Sequence, residues 1–267
     1  GNASLQMPYN MKKLSDSQLE AIKTWINSGA RDNEGNVPLR NPSYRVFVCN
    51  QRGDMVSVIN GDQKVVSRLI DVNQIKNAFD KPHMAKLKDG YLYVSLITTG
   101  KLLKIDTEDY SIVGEVSGLE YPGMIHITND GKKAYVSRSS TAPGSYSTVY
   151  AIDVENMNLI KEISLPVDGI PHGIALSPDN RRLYVANLVK NRIGIVDAEN
   201  DEFLQDFVLS DQINYEPMQT SVSPDGKYLY ISSRTQGKLL VMGTDSIKIL
   251  DEVEVGRKPM HIAVNNT

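Results

Sequence analysis

The chain has 267 residues, 40 % of them hydrophobic, with 29 Lys and Arg against 32 Asp and Glu for a formal net charge of −3. That length and composition fit one large all-β domain or two smaller ones, and the near balance of charge argues against nucleic acid or an acidic membrane surface as partner. No apolar run approaches the roughly 18–20 residues that a membrane span requires. The single cysteine, Cys49, excludes a disulfide within the chain and any site needing two thiolates.

From the N-terminus, Leu14 to Ala30 reads as a helix over residues 15–29. Ser15 with Gln18 fits a capping box, and Gly29 suits the C-terminal stop. Leu19, Ile22 and Ile26 form one apolar stripe, which is expected to dock on an apolar surface with Trp25, the only tryptophan, partly buried. Residues 33–43 form a polar linker containing Pro38 and Pro42. Cys49 then lies in the apolar run Val46-Phe47-Val48-Cys49, where it reads as a small packing residue.

Beyond the linker the chain repeats itself with a period of about forty-odd residues. Pro82, Pro122, Pro171, Pro217 and Pro259 each open a similar phrase, clearest in Pro171-His172-Gly173-Ile174-Ala175-Leu176-Ser177-Pro178-Asp179-Asn180 and in Pro217 to Gly226. Aligned tetrapeptides follow: Tyr93-Val94-Ser95-Leu96, Tyr135-Val136-Ser137-Arg138, Tyr184-Val185-Ala186-Asn187 and Tyr230-Ile231-Ser232-Ser233, with Phe47-Val48-Cys49-Asn50 as a fifth. A third apolar stretch comes next, often ending in Asp (Asp106, Asp153, Asp197), and a fourth alternating run closes the unit. Asp-Gly and Asp-Asn between such runs mark hairpins, because those turns need residues that tolerate positive φ. Apolar residues alternate by two and not by 3.6. Four short strands per unit, repeated in series, make an all-β β-propeller of four-stranded blades.

These phrases, over residues 44–267, resemble the YVTN-repeat β-propeller family, named after the second-strand tetrapeptide. Propellers of that family usually have about seven blades; five are countable here, after one short N-terminal helix. The first segment, Tyr44 to Val72, lacks the opening phrase, and the last, Arg257 to Thr267, carries only that phrase. Either Met260–Val264 pairs with the first blade and closes a five-bladed ring, which would bury both open edges, or the chain is part of a larger, seven-bladed ring. Because the sequence opens at Gly1 and not at a methionine, a signal peptide removed or left out stays open.

Residues 1–32 contain a second resemblance. Met7-Pro8 and Trp25-Ile26…Gly29-Ala30 are similar to the C-terminal end of the small c-type cytochrome domains that precede such propellers in some exported bacterial proteins. In that family the Met of the Met-Pro pair is a haem ligand, so the resemblance implies cofactor binding by Met7 where an upstream haem domain is present. This chain lacks the Cys-x-x-Cys-His attachment sequence, so no cofactor is expected in it, and haem c belongs only to an upstream part.

The four histidines are the residues to test as a site. His83 and His172 follow the blade-opening proline directly, His261 lies two after Pro259, and His126 four after Pro122. Opening strands line the central channel of a propeller, so His83, His172 and His261, with Met84, Met124 and Gln219, are the candidate channel-lining set. Imidazoles and thioethers together suit copper or haem iron, and haem- and copper-containing propeller reductases place histidines there; equally, a channel histidine is satisfied by backbone or water, and no firm metal site follows. Asp89, Asp130, Asp179 and Asp225 sit in hairpin turns, which accounts for them without catalysis. Arg138 and Arg234 end second strands and read as solvated loop residues. No phosphate loop or nucleophile elbow is present, and no catalytic residue is assigned.

The sequence therefore predicts a non-catalytic, exported β-propeller that serves as a binding or scaffold module, periplasmic or at the cell surface. Its resemblance places it next to a cytochrome c domain, with a protein or small-molecule ligand on a propeller face. The alternative is a metal-dependent enzyme, reductase- or lactonase-like, with its site in the central channel.

Overall fold

A computed structural model describes residues 13–28, 30–35, 42–75, 79–139 and 147–265. By internal contacts the chain divides into two units, Gly1–Val46 with Val58–Arg68, and Phe47–Ser57 with Leu69–Thr267. The division runs through the first sheet and not along the linker.

The first unit holds the helix α1, Asp16–Asn27. Its N-terminus is fixed by the predicted capping box: Gln18 N–H donates to Ser15 Oγ at 3.3 Å and Ser15 N–H to Gln18 Oε1 at 2.9 Å, so two otherwise orphaned donors are satisfied. The helix ends at a Ser28 cap, and Gly29 lies outside the described residues. The stripe is half-exposed in the chain by itself. Leu19, Ile22 and Ile26 are 37 %, 43 % and 56 % exposed and Trp25 50 %; the Trp25 indole N–H donates to Arg31 O at 2.7 Å.

The strands fall into five sheets, each in simple sequence order. β1 (Arg45–Asn50), β2 (Met55–Asn60) and β3 (Val65–Asp71) form a three-stranded sheet, as the missing opening phrase implies. Four four-stranded antiparallel sheets follow: β4 (Pro82–Lys88) to β7 (Ile112–Val116), β8 (Pro122–Ile127) to β11 (Asn158–Ser164), β12 (Pro171–Leu176) to β15 (Glu202–Val208), and β16 (Pro217–Val222) to β19 (Lys248–Glu254). In these four the opening phrase is the innermost strand and the tetrapeptide lies in the second, β5 (Tyr91–Leu96), β9 (Lys133–Arg138), β13 (Arg182–Asn187) and β17 (Tyr228–Ser233). The third strands are β6 (Lys101–Asp106), β10 (Thr148–Asp153), β14 (Arg192–Asp197) and β18 (Lys238–Gly243). Inner strands β4, β8, β12 and β16 adjoin one another in that order.

The tetrapeptide follows from this stacking. Side chains alternate across a strand, and every second strand is covered on both faces. In the sheet β8–β11, Tyr135 enters the core shared with the following sheet, beside Ile174 and Val185, while Val136 enters the core shared with the preceding one, beside Tyr93 and Leu102. Tyr184 and Val185 repeat the division one sheet later. The serine on the tyrosine's face is a stitch. Ser95 Oγ accepts from Met84 N–H at 3.2 Å and donates to Gly123 O of the next inner strand at 2.7 Å. Ser137 Oγ accepts from Met124 N–H at 3.0 Å while Ser139 Oγ reaches Pro171 O at 3.1 Å. The β12–β15 sheet has Ala186 in place of the serine, and there the stitch is made by His172, whose Nδ1 lies 2.9 Å from Met218 O.

The turns use the chemistry the sequence suggested. In the first hairpins Ser177 and Ser223 donate to Asp179 and Asp225, and each aspartate accepts a backbone N–H two residues on; these hydrogen bonds hold both carboxyls below the usual range. Asp106, Asp153 and Asp197, which end third strands, accept the N–H groups of Glu108, Glu155 and Glu199 in the outer turns.

The C-terminal phrase does not close the ring. Residues 255–265 lie in no strand and the first sheet keeps three. Ser232 Oγ lies 3.5 Å from Met260 O, and Ile262, Ala263 and Val264 line a groove with Tyr230 and Leu239. Those contacts hold the segment beside the β16–β19 sheet, as the serine and His172 stitches hold β8, β12 and β16 beside the sheets before them.

Candidate functional site

Two of the histidines named from the sequence meet. His83, second residue of β4, and His172, second residue of β12, stand with ring centroids 6.0 Å apart and planes at 84°. Between their strands runs β8, which carries Gly123 at the corresponding position. His172 is 7 % exposed. Met218 O can only accept, so Nδ1 of His172 carries the proton and Nε2 keeps its lone pair. The Nδ1 of His83 lies 2.7 Å from the side-chain amide of Gln51, in the β1–β2 turn. Burial holds the His83 imidazole below its usual range, with His261 adding to the effect. Burial likewise pushes His172 down to about 4, and His83, His261 and Arg234 act the same way.

Around this pair the remaining candidates are distributed unevenly. His261 is exposed, within electrostatic reach of both rings. Gln219, next to the Met218 carbonyl that fixes His172, donates its backbone N–H to Ser232 Oγ at 3.0 Å. Its side-chain oxygen is buried without a partner, as is Thr220 Oγ1. Met124 is 2 % exposed and packs in the core with Tyr135, Val149 and Ile174. Met84 packs partly buried against that core and the one before it. Arg138 pairs with Glu120, and Arg234 with Glu216 at 2.8 Å. Gln51 and Thr220 carried no sequence signal; the substitution of Ala186 for serine was the visible trace of the special role of His172.

The chain has one cysteine and no Cys-x-x-Cys-His sequence for covalent haem attachment. Met7 lies outside the described residues, and burial pushes the Cys49 thiol up to about 12, an inert packing cysteine. Among the described residues no three of His, Cys, Asp and Glu gather as a metal-holding group, and no helix is long and apolar enough to cross a membrane.

His126 stands apart from the pair, held at about 4 by burial and by Lys86, with the backbone of Ile174 acting in the opposite direction. An unfolded histidine titrates near 6.5. Above that pH neither state is charged, and between about 6.5 and about 4 the unfolded chain takes the proton first, so stability falls as pH falls. His126→Gln is expected to flatten this slope; urea midpoints of both proteins at pH 7 and pH 4.5 provide the check, and parallel slopes would contradict it.

No protein-family profile matches the chain. Antigen Lp49 of Leptospira interrogans is 24 % identical over 185 residues, covering 60 % of this chain and 39 % of the relative, so the chain spans about two fifths of that relative's length. Among solved structures, hydrazine synthase of Kuenenia stuttgartiensis superposes with a TM-score of 0.57 at 16 % identity, covering 80 % of this chain and 84 % of that one. A functionally unknown protein from Desulfotomaculum acetoxidans gives 0.68 at 17 %, covering 80 % and 67 %. Streptogramin B lyase gives 0.66 at 15 %, covering 80 % and 66 %. The functions of these neighbours differ, as is usual where sites are grafted on a shared fold, and what they have in common with this chain is architecture: it is an all-β repeat protein built of β-propeller blades.

Proposed function

We propose that this chain is a non-catalytic, exported β-propeller module, periplasmic or at the cell surface, that binds a protein or small-molecule ligand where its inner strands begin. The observation that carries the reading is the meeting of His83 and His172, the latter held on Met218 O of the strand whose next residue, Gln219, has a buried side-chain oxygen without a partner. Buried polar groups are nearly always satisfied, and an orphan on the strand that anchors His172 is a place for a ligand's donor. The turn aspartates, engaged by their own backbones, support binding without catalysis. The resemblance of Met7-Pro8 and Trp25-Ile26 to a cytochrome ending, with the open Leu19, Ile22 and Ile26 stripe, supports a cytochrome c neighbour that would cover the helix.

A thermal-shift screen of the whole chain against small polar solutes tests the binding reading. At a hundredfold excess over Kd a true ligand raises Tm by about 5 °C or more. The shift is expected to disappear in Gln219→Leu and His172→Asn. Shifts that persist in both variants would move the ligand elsewhere and overturn the assignment.

A further inference from the structure

Resting on that reading of the site, we propose that His83 and His172 form a two-imidazole site for a borderline divalent transition-metal ion, with Cu(II) held most tightly. The argument begins with the ring nitrogens. A metal-ligating histidine almost always donates its other N–H to a carbonyl or similar acceptor, which fixes the tautomer and strengthens the free nitrogen as a ligand. His172 has that arrangement, with Nδ1 on Met218 O at 2.9 Å and Nε2 unprotonated. For His83 the Nδ1 partner is the Gln51 side-chain amide at 2.7 Å. A half-turn of that amide puts its oxygen on Nδ1, and Nε2 of His83 then holds a lone pair as well.

The separation suits a shared ion. Two imidazoles bound at about 2.0–2.1 Å per nitrogen hold their centroids roughly 5–6.5 Å apart, and the observed distance is 6.0 Å. Both rings sit in strands anchored by inter-sheet hydrogen bonds, so the pair is preorganised. Imidazole is a ligand for copper, nickel and zinc, and copper binds tightest among the divalent ions of that row. With two protein nitrogens, the other coordination positions fall to water or a bound solute.

The test is equilibrium dialysis of the full chain against Cu(II) buffered with glycine, with electron paramagnetic resonance of the loaded protein. One Cu(II) per chain is expected, with superhyperfine splitting from two imidazole nitrogens. His172→Asn and His83→Asn are each expected to weaken binding by at least about tenfold, and His126→Gln to leave it unchanged. Asparagine is chosen because its amide keeps a donor where Nδ1 stood, preserving the stitch to Met218 while removing Nε2; circular dichroism of the variants checks the fold. No stoichiometric uptake, or uptake equal in wild type and both asparagine variants, overturns the proposal. If copper fails while solute shifts still depend on His172 and Gln219, this inference falls and the ligand-binding reading stands; loss of both removes both.

Discussion

Asp201→Ala is expected to destabilise the protein by about 3 kcal/mol, among the largest losses available to a single polar substitution here. Asp201 is 6 % exposed, in the turn between β14 and β15. Both of its oxygens accept from Lys133 Nζ at 2.9 Å, and Oδ1 accepts from the Tyr135 hydroxyl at 2.6 Å. Lys133 and Tyr135 belong to β9 in the preceding sheet, so the carboxylate ties two sheets together. Its removal leaves an ammonium with 21 % side-chain exposure facing one carbonyl, Ala198 O, which Tyr135 also shares. Burial, with the Asp201 carboxylate beside it, already holds the Tyr135 hydroxyl far above its usual range. Asp201 also has a positive φ, +57, as Lys64, Tyr110, Met157 and Ile247 have positive φ in the other outer turns, a conformation Asp tolerates better than Ala. Asp201→Asn keeps an acceptor for Tyr135 and the turn preference, and is expected to cost about half as much. Urea unfolding provides the measurement; a loss under about 1 kcal/mol for the alanine variant, the level of an exposed pair, would show that solvent replaces the carboxylate.

The second large effect falls on Gly173. A Cβ there would meet Gln219 Cα at 2.5 Å, Met218 O at 2.7 Å and Thr220 N at 2.8 Å. All three are backbone atoms of β16, so no side-chain rotation relieves the clash, and β12 and β16 must separate. Overpacking of this kind costs about 1–3 kcal/mol, and Gly173→Ala belongs at the upper end. It would also draw Met218 O away from His172, so the destabilisation is expected to come with a shifted His172 ring resonance in NMR spectra. Unchanged stability and an unchanged resonance would mean that the two inner strands are not packed backbone to backbone. By contrast, Gly90 has nothing within 4 Å of a built Cβ, and its φ of +81 alone makes a substitution costly there.

The repeat was legible because each phrase is a local statement. Asp-Gly and Asp-Asn turns, alternating strands and the capping box of Ser15 and Gln18 are settled within a few residues of one another, and each is found where the sequence placed it. The approach of His83 to His172 was foreshadowed by their shared place after the opening proline, because equivalent positions in stacked repeats recur at one end of the inner strands. Gln51 was not foreshadowed, since its turn resembles any other, nor was Asp201, which stands 66 residues from the tyrosine it serves.

By itself, then, the sequence determined the strand order, the positions of the inner and second strands of the four four-stranded sheets, and the residue types that each turn required, because those depend on φ preferences and on period-two alternation. Tertiary structure alone decided which side chains join one sheet to the next. The stitch of His172 in place of a serine, the Asp201 clamp and the Gly173 contact all depend on distances between segments tens of residues apart, which no local pattern encodes. It decided the two ends as well. The C-terminal phrase has the composition of a strand, and the helix has a stripe fit for burial, yet a strand needs a partner's free hydrogen-bonding edge and a stripe needs an apolar surface. Whether either is at hand depends on the packing of the whole chain, and in this fold Met260–Val264 forms no strand and Leu19, Ile22 and Ile26 stay open to solvent.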